Sequence, residues 1–217
     1  MMTNGSGTYI PVYVRPGMEL SMTKHQKVLW ITRTAILIAL LVVLQAASIS
    51  FSAALPPPFN SIVTGSIVNA MLVISVMTCG FATGATVAVV SPVFPTLLGF
   101  GPVWPLVPFI AAGNITLVAL WYIIGNKNIG NKKETQNNYV SYIIALPAAA
   151  VAKFAVLYIG VVRVAIGLLL DLPEKQANMI GGMFSIPQLI TASIGGAFAI
   201  AVFPALKRAL SLDRPAE

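Results

Sequence analysis

The chain has 217 residues, 57% of them hydrophobic and 9% charged, with a formal net charge of +7. Soluble domains carry about a quarter charged residues, so the composition excludes an ordinary soluble globular domain and makes lipid the solvent for much of the surface. One cysteine, Cys79, excludes an internal disulfide and a cysteine-built metal cage, and the basic residues flank apolar runs, which reads as membrane orientation and not as a nucleic-acid surface.

Residues 1–27 are polar, carry several Gly and Pro, and are expected to form a flexible cytoplasmic tail. Met22 opens the run MTKHQK and offers a second start, so residues 1–21 are set aside from the fold reading. The first apolar run is too long for a cleavable secretory signal and stays as a span. About 20 apolar residues cross a ~30 Å hydrocarbon core. On that measure the spans fall at 28–51, 61–79, 80–98, 104–124, 140–170 and 177–206, giving a membrane domain over 28–206 and a basic cytoplasmic tail over 207–217. Pro56 to Pro58 mark a stiff loop after span 1, because proline lacks the amide donor and clashes with the preceding turn. The stretch SPVFPTLLGFGPVWPLVP is expected to break spans 3 and 4 in the same way. Spans 2 and 3 join through Cys79–Gly80 with almost no loop, and span 5 is long enough to tilt or project.

The charges set the expected orientation. Lys24, Lys27 and Arg33 open span 1, Lys127, Lys132 and Lys133 lie between spans 4 and 5, and Lys207, Arg208 and Arg214 follow span 6. In a six-span arrangement all of these share one side. The other side has Lys175 beside Asp171 and Glu174. The positive-inside rule then puts both termini in the cytoplasm. The expected class is all-α: a polytopic membrane protein of six transmembrane helices.

Lys153 and Arg163 lie inside span 5. A basic residue at a helix centre costs ~2.5–3.5 kcal/mol on insertion scales. Lys153 is ~20 Å along the helix from residue 140, too deep for easy snorkelling, whereas Arg163 is nearer the external end. One reading has them bind an anionic group in a cavity; the other pairs Arg163 with Asp171 and has Lys153 cap backbone carbonyls. Gln45, Asn69, Asn114 and Gln188 are amides within the spans. Amides hold helices together by hydrogen bonds, the favoured reading for Asn69, while Asn114 and Gln188 are read equally as glue or ligand contacts. Trp104, Phe59 and Asn60 sit at external ends, where they close over a ligand or, for Trp104, anchor the interface.

The six acidic residues all fall outside the spans, so the intramembrane carboxylate relay of a proton-coupled carrier is missing. His25 precedes span 1 and forms no buried triad with Cys79 or a serine. No G-x-x-x-x-G-K-[ST] run occurs, so any ATP-driven transport takes its energy from another subunit. No catalytic, metal or cofactor constellation is read. Small residues recur at helical spacing: Ala35 and Ala39, Gly80 and Gly84, and Ala192, Gly195, Gly196 and Ala199. Such faces let helix backbones approach closely.

From about residue 30 to 206 the chain resembles the substrate-binding S component of energy-coupling factor (ECF) vitamin transporters. TRTAILIAL looks like that family's first helix. GSIVNAMLVISVMTCGFATGATVAVVSPVFPTLLG followed by PLVPFIAAGN is similar to its spans 2 to 4. The resemblance implies a multi-pass protein of a prokaryotic cell membrane that binds a vitamin or precursor near the external face. The AxxxA face at Ala35 and Ala39 would dock on a transmembrane scaffold subunit that works with two ATPases. The pocket would be lined by the first external loop, here 55–60, and by spans 4 to 6, which carries over to Asn114, Lys153 and Gln188, then Arg163. The cationic groups favour a ligand with a carboxylate or phosphate. Two rival expectations are a self-contained secondary carrier and a membrane enzyme.

Overall fold

A computed structural model describes residues 24–52, 59–99, 101–125, 139–170 and 172–212. The tail before residue 24, Pro56 to Pro58, the basic loop with Lys127, Lys132 and Lys133, Asp171, and the final residues with Arg214 lie outside these ranges. The described residues form helices and no strands: α1 Lys24–Ser52, α2 Phe59–Cys79, α3 Phe81–Leu97, α4 Val107–Gly125, α5 Tyr139–Leu157, α6 Glu174–Met183 and α7 Ile186–Leu212. A 3₁₀ turn, Trp104–Leu106, leads into α4, and a π-helical segment, Tyr158–Leu169, continues α5. Five units are long and apolar enough to cross a membrane: Lys27–Ser50, Phe59–Cys79, Trp104–Gly125, Val140–Leu169 and Glu174–Leu206. α3 is apolar and shorter, at 17 residues. Large apolar side chains such as Ile36, Val43, Ile143 and Phe198 point outward from the bundle. Lipid removes the penalty such exposure carries in water.

α2 is the central helix, packing on α1, α3, α4 and α7, while α5 closes the bundle between α4 and α7. Glycines set the closest approaches. At Gly195 a Cβ would lie 2.6 Å from the carbonyl oxygen of Ser66 and 2.7 Å from the amide of Ala70, so α7 lies directly against the α2 backbone. At Gly84 it would lie 2.8 Å from Val118 Cγ1, and at Gly113 2.6 Å from Leu157 Cγ. Gly80 turns the chain between α2 and α3 at φ 84°, a conformation that costs glycine nothing.

The proline-rich stretch separates α3 from α4 as expected, and the break falls after Leu97, with the first two prolines inside the helix. α3 runs through Pro92 and Pro95 and ends at Leu97, before Gly99 at φ 81°. Side chains occupy the carbonyls the prolines leave without donors. Ser91 Oγ donates to the Ala88 carbonyl at 2.9 Å, the acceptor that Pro92 cannot serve. Gln45 Nε2, from α1, donates to the Ser91 carbonyl at 3.1 Å, the acceptor that Pro95 cannot serve.

The expected single span at 177–206 is two helices. The chain bends at Phe184–Ser185, where Pro187 has no amide to continue the ladder and Ser185 Oγ donates to the Gly181 carbonyl at 2.6 Å.

The buried apolar residues form two clusters. The larger one centres on Leu72, Val73, Leu117, Val118 and Ala149. The smaller one comprises Leu106, Leu157, Val161, Ala165 and Ile180, and caps the end of the bundle where α2 and α4 begin.

Candidate functional site

A polar layer lies between the two clusters. On α5, Lys153 stands between Ala150 of the larger cluster and Leu157 of the smaller; on α4, Asn114 stands between Ile110 and Leu117 in the same way. Three-to-four-residue spacing keeps each set on one helix face. Lys153 is 3% exposed, Asn114 2% and Asn69 1%.

The Lys153 ammonium donates to Asn69 Oδ1 at 2.5 Å and to Asn114 Oδ1 at 2.6 Å. Each amide passes the network on through its nitrogen. Asn114 Nδ2 donates to Ser91 Oγ at 2.8 Å, and Asn69 Nδ2 donates to Thr191 Oγ1 at 3.2 Å. Ser91 in turn receives Gln45 at its carbonyl, so the layer joins α1, α2, α3, α4, α5 and α7. An ammonium has three protons to donate, and two are taken here by neutral amide oxygens. Glu174, the acidic residue among those described, is exposed at the start of α6, and no carboxylate among the described residues pairs with Lys153. The charge is thus hydrogen-bonded and, among the described residues, has no counter-charge in the layer. Burial of such a group is costly and marks intramembrane functional positions.

The predicted site residues divide. Lys153 and Asn114 touch, and Gln45 is connected to them through Ser91. The acceptors of Lys153 are side-chain amides and not backbone carbonyls, and Asn69, read as helix glue, is one of them. Gln188 is only indirectly connected: its carbonyl accepts from Thr191 Oγ1 at 3.2 Å, while its side-chain nitrogen donates to the Met183 carbonyl at the α6–α7 bend, also at 3.2 Å. Arg163 is exposed on the π-helical segment, with its guanidinium carbon 5.6 Å from the Tyr158 ring centroid. Phe59 and Trp104 are exposed at the capped end. Asn60 is half-buried, and its Oδ1 accepts from the Ser61 amide at 2.6 Å, a local contact in the first turn of α2. Ala35 and Ala39 are both exposed on α1.

Ser91 and Thr191 were not singled out from the sequence. Ser91 carried a usable signal: a hydroxyl immediately before a proline within an apolar run is placed to serve a carbonyl the proline frees. Among the described residues no group of three or more His, Cys, Asp or Glu side chains is gathered to hold a metal. Comparison with family models, curated proteins and solved structures finds no match for this chain.

Proposed function

We propose that the protein is the substrate-binding subunit of an ECF-type importer, capturing a vitamin-like small molecule that bears a carboxylate or phosphate. The observation that carries this reading is the Lys153 ammonium, buried between two apolar clusters and held, among the described residues, by the amides of Asn69 and Asn114. An anionic group arriving there supplies the missing counter-charge and accepts the third proton. Charge-assisted hydrogen bonds of this kind are among the strong ones.

The flanks of the layer support the same reading. The outward-facing Ala35 and Ala39 on α1 offer a small-residue face for a scaffold helix. Both termini lie in the cytoplasm in this proposal, which puts the capped end of the bundle outside, where substrate arrives. The chain supplies the binding step and partner ATPases supply the energy.

The deciding experiment is identification of the small molecule that co-purifies with the protein, by mass spectrometry, followed by calorimetric titration of that compound. A monovalent or divalent anion of vitamin size is expected. Uptake of the compound into liposomes that contain this protein alone would instead establish a self-contained carrier.

A further inference from the structure

The apolar cap over the lysine layer rests on backbone that is not α-helical. From Tyr158 to Leu169, 12 residues, the chain is wound as a π-helix. It closes with the Leu170 amide on the Ala165 carbonyl, five residues back and 2.8 Å away. π-turns usually occur singly and at functional sites. A run this long changes which side chains face inward. Were α5 to continue as an α-helix, the residues seven and eleven positions beyond Leu157, Val164 and Leu168, would share its face. In the π winding Val161 and Ala165, four and eight positions beyond Leu157, are buried, while Leu168 is turned out and 80% exposed.

In water, turning a leucine outward would be costly. In a bilayer the lipid tails are as apolar as the cap, so the hydrophobic difference between the two windings is small. The cap is also the part with the smaller buried set, and regions with few buried apolar contacts open first. A π-helix holds more residues per turn than an α-helix, so rewinding lengthens the segment and displaces α6, which packs on it.

We propose that the cap formed by Tyr158–Leu169 and α6 is the gate to Lys153, opened by rewinding of the π-helical segment toward α-helix. Leu157, at the base of that segment, is four residues from Lys153, about 6 Å along the helix. The gate takes its purpose from the reading of Lys153 as a ligand anchor, while its geometry does not depend on that reading.

The test locks the segment to α6. A Cβ at Gly181 would lie 3.9 Å from Val162 Cγ1, so Val162→Cys with Gly181→Cys, in a Cys79→Ala background, places two thiols within reach of a disulfide. The full-length protein in nanodiscs is treated with trinitrobenzenesulfonate, an anionic amine reagent, and labelling is read at Lys153 by peptide mass spectrometry. The exposed Lys27, on α1 and outside the gate, is the internal reference. Lys153 is expected to label at least about tenfold faster in the reduced than in the oxidised protein, with Lys27 unchanged. Equal Lys153 rates in the two forms would overturn the gate. A second variant covers failure of the disulfide to form. At Gly160 a Cβ would lie 2.9 Å from Phe109 Cδ1 in the π winding, so Gly160→Ala disfavours that winding and should speed Lys153 labelling over wild type. Unchanged or slower labelling in monodisperse Gly160→Ala protein would also overturn it. Because these rates are read on the Lys153 amine, which attacks the reagent with loss of sulfite and a proton and has no small molecule bound, they stand or fall separately from any measurement of ligand affinity.

Discussion

The side-chain amide of Gln45 donates to the carbonyl of Ser91 at 3.1 Å, the carbonyl that Pro95, four residues further along α3, leaves without its helical donor. A residue of the first helix thereby repairs a defect in the third. Gln45→Ala should destabilise the protein by about 1–3 kcal/mol, the cost of an unsatisfied buried acceptor. Pro95→Ala restores the backbone donor, so Gln45→Ala should cost well under 1 kcal/mol in that background. Melting of the four proteins of this cycle in one detergent measures the coupling; additive effects would reject it.

Asn114→Leu leaves the Lys153 ammonium with a single protein acceptor. Hydrogen bonds to charged groups contribute about 1.5–3 kcal/mol, so a loss of that size in stability is expected. Lys153→Met added to Asn114→Leu should recover part of it, because the unpaired charge is removed as well. Thermal denaturation of both variants checks the order. A double variant less stable than Asn114→Leu would show that the charge is not what makes the layer costly.

Lys153→Met alone should weaken binding of an anionic ligand by roughly 10- to 150-fold, the equivalent of about 1.5–3 kcal/mol at 1.4 kcal/mol per decade. Titration calorimetry beside a melting curve separates this outcome from a purely structural role. In the latter case the variant melts lower and binds with wild-type affinity.

Ala35→Leu with Ala39→Leu should impair capture of the transmembrane scaffold and leave the melting temperature of the isolated protein nearly unchanged, since both side chains face outward. Affinity capture of scaffold by wild type and variant, in parallel, is the measurement. Equal capture would remove α1 from the docking surface.

Gly195→Ala and Gly182→Ala should have opposite signs. A Cβ at 195 would meet backbone of α2 at 2.6 Å, and backbone yields little, so a loss of about 1–3 kcal/mol is expected. A Cβ at 182 meets nothing within 4 Å, and the substitution should stabilise α6 by about 0.5–1 kcal/mol. Chemical denaturation of the two variants against wild type checks both.

The positions of the helices were legible because a bilayer imposes a length on each apolar run. Thus 61–79 became Phe59–Cys79, and 104–124 became Trp104–Gly125 with its leading 3₁₀ turn. The burial of Lys153 was legible from the cost of placing an ammonium in lipid. Its partners were not, because Asn69 and Asn114 stand 84 and 39 residues away and only the packing order of the helices brings them together. The expected span 80–98 already contained Pro92 and Pro95, but how the helix tolerates them was hidden for a related reason: the donor that rescues Pro95 comes from another helix. The π winding of Tyr158–Leu169 was also hidden, because apolar periodicity alone does not distinguish it from an α-helix.

Asn69 and Asn114 both precede Lys153 in the chain, and synthesis runs from the amino end. When the ribosome delivers α5, the helices that hold both acceptors have already been made. The ammonium can therefore pass from the aqueous insertion channel directly to its amide partners without first dissolving in hydrocarbon. Thr191, which accepts the other side of Asn69, comes last and completes the layer only after the lysine is seated. Moving α5 ahead of α2 by circular permutation would keep every contact of the finished bundle and reverse that order of delivery, making membrane insertion, and not final stability, the step that fails.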